Sequence, residues 1–137
     1  MTTISHYRDA HFDGVDALWR EAFPNDPPYN RAELAIPAKL AVQPELFLVA
    51  EDEERVVGTA MAGYDGHRGW LYAVAVRGSH RGRKIAAALI REAEARLAAL
   101  GCTKVNLQVR ADNDVVVNLY ASLGYEIEPR ISMGKRL

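Results

Sequence analysis

Residues 73–99 constrain this chain more than any other stretch. A small-residue strand pattern, Ala73-Val74-Ala75-Val76, runs through a basic turn, Arg81-Gly82-Arg83-Lys84, into a long helical pattern that begins at Ile85-Ala86-Ala87. The first turn of a helix carries backbone N–H groups without intrahelical partners and the positive end of the helix dipole. Gly82 allows close backbone approach, and three cations stand beside it, so the turn suits an anion and has room for a diphosphate. Alone the pattern is common, since every α/β domain has strand-to-helix turns and basic residues there are often solvated surface charge.

The rest of the chain supplies the elements such a turn needs. Ile4 to Arg8 reads as a short strand, followed by Phe12, Val15, Leu18, Trp19 and Ala22 at helical spacing. The cluster Pro24-Asn25-Asp26-Pro27-Pro28 ends that helix, and Asn30 is placed to cap a second helix reaching about Gln43, with Pro37 limiting or bending it. Leu46 to Glu51, Val56 to Tyr64 and Trp70 to Val76 then read as three antiparallel strands. On the long helix Ile85, Leu89, Ala93, Leu97 and Leu100 form the apolar stripe, and Gly101 supplies the stop. A strand from Lys104 to Arg110 and a helix carrying Val116, Leu119 and Leu123 follow, with a final strand pair at Tyr125 to Ile127 and Ile131 to Lys135, broken at Pro129. The expected order is β-α-α-β-β-β-α-β-α-β-β, an α/β (α+β) fold with a mixed, largely antiparallel central sheet and helices on both faces.

Composition narrows the function. With 137 residues and 49% hydrophobic content, the chain reads as a single domain spanning 1–137. Eighteen acids against 17 bases leave a net charge of −1, which gives no general attraction to nucleic acid or anionic lipid. No apolar run approaches the ~20 residues that span a bilayer. Cys102 is the single cysteine and reads as a packed residue in a reducing compartment, so a cytoplasmic location is expected. Four histidines are scattered without metal-ligand spacing, so no metal site is expected.

Two segments carry a resemblance. The turn from Arg81 to Ala86 and the stretch Asn113-Asp114-Val115-Val116-Val117-Asn118-Leu119-Tyr120-Ala121-Ser122-Leu123-Gly124-Tyr125 together resemble the GNAT superfamily of acyl-CoA-dependent N-acetyltransferases. The first is similar to the acetyl-CoA motif Gln/Arg-x-x-Gly-x-Gly/Ala, and the second to the Asn-x-x-Ala-x-x-Leu-Tyr-x-x-x-Gly-Phe/Tyr helix. Leu46 to Glu51, Val56 to Thr59, Gly63 to Gly69 and the ending Gly134-Lys135-Arg136-Leu137 look like the bacterial YpeA-type subgroup. Two positions depart from the motifs: the first Gly is Lys84, and the Ala three residues after Asn113 is Val116. At Lys84 two readings stand, a Cβ that obstructs the approach to pyrophosphate or an ammonium that pairs with it.

The resemblance implies an acetyl-CoA-dependent enzyme that passes an acetyl group directly to a primary amine, since no nucleophile suits a covalent intermediate. It implies pyrophosphate on the N–H groups from Gly82 to Ala87, with Arg81, Arg83 and Lys84 adding charge. It also implies a pantetheine arm along Val74 and Val76 and an oxyanion site at the N–H of Val74 or Ala75; the two valines read equally as core strand residues. Tyr120 is the implied acid for the departing thiolate, and packing is its plainer role. Asn113 matches the residue that contacts the CoA arm and also suits a helix cap. No general base is assigned: Asp65, Glu51 and Asp112 each suit other roles, and Tyr72 is placed to position a water. The acceptor, a protein N-terminus, lysine or small amine, and the oligomeric state, a homodimer included, stay open. A catalytically weak or inactive CoA-binding regulatory module is the alternative function, favoured by Lys84 and by the lack of an acid on the strand before the turn.

Overall fold

The computed structural model describes residues 2–82 and 84–137. Period-two alternation in the middle of the chain builds its centre. Phe47 and Val49 pack on one face while Leu48 and Ala50 pack on the other, as strands buried on both sides require. The strands Thr2–His6 (β1), Phe47–Asp52 (β2), Arg55–Tyr64 (β3), Gly69–Val76 (β4) and Val105–Leu107 (β5) form one sheet in the order β1-β2-β3-β4-β5. The first four pair antiparallel, and β5 joins β4 in parallel.

Helices cover both faces. Phe12–Ala22 (α1) and Ala32–Leu40 (α2) bury Val15, Leu18, Trp19, Ala32 and Ile36 against Phe47, Val49, Val56 and Met61. On the opposite face Ile85–Ala99 (α3) lays Ile85, Leu89, Ile90, Ala93 and Leu97 on Leu48, Val57, Ala60 and Leu71, and Asp114–Ser122 (α4) adds Tyr120 to that layer. Gly101 and Gly124, at φ 95° and 96°, take the left-handed conformation that ends α3 and α4. No described helix is long and apolar enough to cross a membrane.

Several boundaries differ from expectation. Asn30 does not cap α2: Pro27 and Pro28 set a short 3-10 turn, Pro28–Asn30, so the helix starts at Ala32 behind Arg31 and ends at Leu40 before the left-handed Gln43. Pro37 lies inside it, three residues before its end. β5 spans three residues rather than Lys104 to Arg110. The strand pair expected at Tyr125 to Ile127 and Ile131 to Lys135 does not form among the described residues. The chain after α4 instead touches the β5 segment through side chains: Lys104 Nζ sits 2.7 Å from Glu128 Oε2, and the Gln108 amide donates to the Ser132 hydroxyl. Apolar alternation at Ile127, Ile131 and Met133 is a local signal, whereas a strand also needs a backbone ladder; these side chains stay exposed.

Candidate active site

The sheet opens where the basic turn begins. Pairing of β4 with β5 stops at Leu71↔Leu107, so Tyr72 to Val76 have no strand on that edge among the described residues. On the other edge the ladder to β3 slips: Thr59 faces Ala75 and Met61 faces Tyr72, which sets Ala73 and Val74 opposite Ala60 alone. That is a β-bulge, and Ala73 takes a left-handed φ of 50° to make it. The face alternation shifts by one there, so that Val74 and Val76 pack toward α3 while Ala73 and Ala75 pack toward α1. Bulges of this kind re-aim backbone groups beside functional sites.

Beyond β4 the chain makes a 3-10 turn, Gly78–His80, and reaches α3 through Arg81, Gly82 and Lys84; Arg83 lies outside the described residues. Two contacts anchor the turn: Glu21 Oε2 accepts from the Gly78 N–H at 3.0 Å, and the buried His80 places Nε2 2.9 Å from Asp52 Oδ2. That hydrogen bond to His80 is the main cause holding the Asp52 carboxyl below its ordinary range. Gly82 has φ 80°, and Lys84, at the N-cap of α3, has φ 61°. The motif position where Lys84 stands for Gly is therefore a left-handed one, which any residue but glycine occupies at a cost. The Lys84 side chain makes no capping hydrogen bond to α3. The Lys84 carbonyl takes the Ala88 N–H at 3.1 Å, while Ile85, Ala86 and Ala87 are first-turn residues whose N–H groups have no intrahelical acceptor. The turn thus offers N–H groups without intrahelical acceptors, a helix dipole and the cations Arg81 and Lys84, a set that fits a diphosphate.

Tyr120 is buried, 8% exposed, in the layer that holds Ile85 and receives Val74 and Val76. Its ring meets Tyr125 edge-on at 5.5 Å, and burial pushes its phenol up to about 12. The Tyr125 hydroxyl is tied to Glu94 Oε2 at 2.6 Å, whereas the Tyr120 hydroxyl has no hydrogen-bond partner among the described residues. Asn113 caps α4, its side chain accepting from the Val116 N–H at 3.3 Å. Its amide NH₂ is left for another contact.

The acids considered as bases have other work. Asp65 Oδ1 accepts from the N–H groups of His67 and Arg68, both at 2.7 Å, and these bonds, Arg68 first, depress its pKa. Glu51 is held by His11 Nε2 at 2.9 Å and by Arg8, and Asp112 is exposed. Tyr72 is 44% exposed, with the Lys39 ammonium 5.5 Å from its ring centroid. Sequence reasoning missed Lys39, which donates to the Ala62 carbonyl at 2.5 Å and whose pKa burial lowers. Near the α1–α2 connection Asp16, Trp19, Arg20, Phe23, Pro24, Asp26, Asn30, Arg31 and Ala32 line a cleft of about 180 Å³.

Residues 12–125 match the model of the acetyltransferase (GNAT) family. Over 134 residues the chain is 47% identical to a protein of Pectobacterium atrosepticum named as an acetyltransferase, covering 98% of this chain and 94% of that one. Among solved structures it superposes on aminoglycoside N-acetyltransferase AAC(6')-Iy in complex with CoA with a TM-score of 0.81, at 20% identity over 99% of this chain and 95% of the other. The ribosomal-protein-S18-alanine N-acetyltransferase of Escherichia coli superposes with a TM-score of 0.74, at 21% identity over 90% of this chain and 77% of the other. With the family model matching residues 12–125 and a relative 47% identical over nearly the whole chain, the chain belongs to the acetyltransferase (GNAT) family, whose members are acyltransferase enzymes.

Proposed function

We propose that residues 1–137 form one acetyl-CoA-dependent N-acetyltransferase domain, acting in the cytoplasm on a primary amine by direct transfer. The observation that carries this reading is the parting of β4 from β5 after Leu71, with the start of α3 at one end of the gap. Acetyl-CoA supplies an acyl group activated as a thioester. The N–H groups from Gly82 to Ala87 hold its pyrophosphate, with Arg81, Arg83 and Lys84 adding charge, and Val74, Ala75 and Val76 line the arm; the Asn113 amide contacts the same arm.

The amine reaches the thioester as the free base. Its nitrogen lone pair forms the C–N bond, the C–S bond breaks, and the proton lost by nitrogen balances the proton taken by sulfur. The N–H of Val74 or Ala75 donates to the carbonyl oxygen as negative charge gathers there. Tyr120 donates to the sulfur. With its phenol at about 12, the hydroxyl stays protonated at every working pH. Full transfer from this phenol to the released thiolate, whose thiol has pKa ~8.5, is uphill by roughly 5 kcal/mol, so the hydroxyl donates a hydrogen bond to the sulfur as the C–S bond breaks, and the proton lost by the amine nitrogen completes the thiol. The cleft between α1 and the Pro24–Ala32 connection receives the acceptor; its wall sets Asp16 and Asp26 beside Arg20 and Arg31, with Arg20 3.1 Å from Asp16, so it selects by shape and hydrogen bonding and not by net charge. The neighbours in solved structures are named for acceptors as unlike as an aminoglycoside and an alanine of ribosomal protein S18, so the acceptor is defined by this cleft and not by the fold.

The test is thiol release from acetyl-CoA against a panel of primary amines, with mass spectrometry of the product. Amine-dependent release with an N-acetyl product is expected. Calorimetric binding of acetyl-CoA with no turnover across the panel would favour the non-catalytic CoA-binding module, and no binding would end both readings.

A further inference from the structure

A buried hydrogen-bond chain crosses the α1 face of the sheet to the bulge. Trp19 Nε1–H donates to Thr59 Oγ1 at 2.9 Å, and Thr59 Oγ1–H donates to the Ala73 carbonyl, also at 2.9 Å. Thr59 has no exposed surface and Trp19 is 5% exposed. The direction of the chain is settled by chemistry. An indole N–H only donates, so it takes a lone pair of the hydroxyl and leaves the single Thr59 hydrogen for Ala73. The indole is itself fixed, stacked on Phe47 at 6.0 Å between centroids and 22° between planes.

The carbonyl it holds is the one at the bulge. Ala73 C=O and Val74 N–H belong to one planar trans peptide and point in opposite directions. With the carbonyl drawn to the Thr59 hydroxyl, the Val74 N–H points away from Thr59, and β4 has no strand on its far edge at this point among the described residues. We propose that Thr59, backed by Trp19, is a positioning residue that aims the Val74 N–H at the thioester carbonyl oxygen of acetyl-CoA. The inference rests on the reading of the site given above and adds the side chains that set its main donor. It also explains why Ala73 keeps a left-handed φ of 50°: a strained backbone persists where its surroundings hold it.

The test reads the carbonyl directly. Isotope-edited infrared spectra of [1-13C]acetyl-CoA bound to the protein should show the thioester C=O band below its position in water, because a well-aimed donor weakens that bond. Thr59→Val keeps the shape and deletes the hydroxyl, so the band should move back toward the free value; Thr59→Ser should keep it low. If Thr59→Val fails to fold, Thr59→Cys serves, since a thiol is a weak donor, and its band should fall between the two. With any amine that is turned over, Thr59→Val should lower kcat on the order of 10- to 100-fold with the KM for acetyl-CoA nearly unchanged. A low band in the wild type that Thr59→Val and Thr59→Cys both retain would overturn this role and leave the site reading intact. Loss of the low band in Thr59→Ser as well would overturn it too, since the hydroxyl would then not be the agent. A wild-type band at the free position despite bound acetyl-CoA, or no binding, would overturn the site reading and this inference with it.

Discussion

Replacing Lys84 by glycine should separate what its backbone costs from what its side chain contributes. Lys84 holds φ 61° and ψ 21° at the N-cap of α3. A non-glycine residue in that region is strained by ~1 to 2 kcal/mol, and glycine gives back ~0.5 to 1 kcal/mol through its looser unfolded chain. Lys84→Gly should therefore raise stability by about 0.5 to 1 kcal/mol, or roughly 2 to 5 °C in Tm for a chain of this size. The same change removes an exposed cation from the phosphate turn, a charge-assisted contact worth ~1 to 2 kcal/mol, so acetyl-CoA should bind about 5- to 30-fold more weakly. Scanning calorimetry without ligand and titration calorimetry with acetyl-CoA give the two numbers. Added salt should weaken the wild type more than the variant. A lower Tm would refute the left-handed backbone at this position, and tighter binding would mean that the lysine side chain obstructs the cofactor.

Further outcomes are expected at the phosphate turn, at Tyr120 and in the α1–α2 connection. Arg81→Glu should weaken acetyl-CoA binding by ~1 to 2 kcal/mol, and an unchanged calorimetric affinity would move the pyrophosphate elsewhere; Arg83→Glu should behave alike. Tyr120→Phe should lower kcat by ~10²- to 10⁴-fold with acetyl-CoA affinity nearly unchanged, and its deficit should shrink above pH ~8.5, where the thiolate needs no proton. Because burial raises the Tyr120 phenol from 10.0 in the unfolded chain to about 12, the fold is stabilised by the neutral form below pH 10 and loses that contribution as pH climbs toward 12. Denaturant titrations should show the wild type losing up to about 3 kcal/mol over that range relative to Tyr120→Phe, and parallel losses would place the phenol in water. Exchanging Pro24 to Asn30 for an unrelated loop should alter amine preference and spare acetyl-CoA affinity, equal loss of both marking a purely structural loop.

Much of this was legible along the chain because its signals are local. Period-two and period-3.6 patterns located the four long strands and helices, and the basic turn opening α3 was visible as a motif with one departure at Lys84. What that departure means physically, a left-handed backbone, needs φ. The bulge at Ala73 was not legible, since two residues opposing one is a property of register between β3 and β4 and leaves no mark on either strand alone. The side-chain partners of the site were hidden for a similar reason: Thr59 reaches Trp19 across 40 positions, and His80 reaches Asp52 across 28. Asn30 read as a cap because its residue type suits one, but the prolines before it had already committed it to a 3-10 turn. Apolar alternation after Gly124 promised strands where the chain finds only side-chain contacts with the β5 segment.

The most direct test of the account is a crystal structure with acetyl-CoA bound. The pyrophosphate oxygens should lie within hydrogen-bond distance of N–H groups between Gly82 and Ala87. The thioester oxygen should meet the N–H of Val74 or Ala75 in the gap between β4 and β5, and the sulfur should sit beside the Tyr120 hydroxyl. A cofactor lying away from the start of α3, or a thioester outside that gap with Tyr120 remote from the sulfur, would contradict the account.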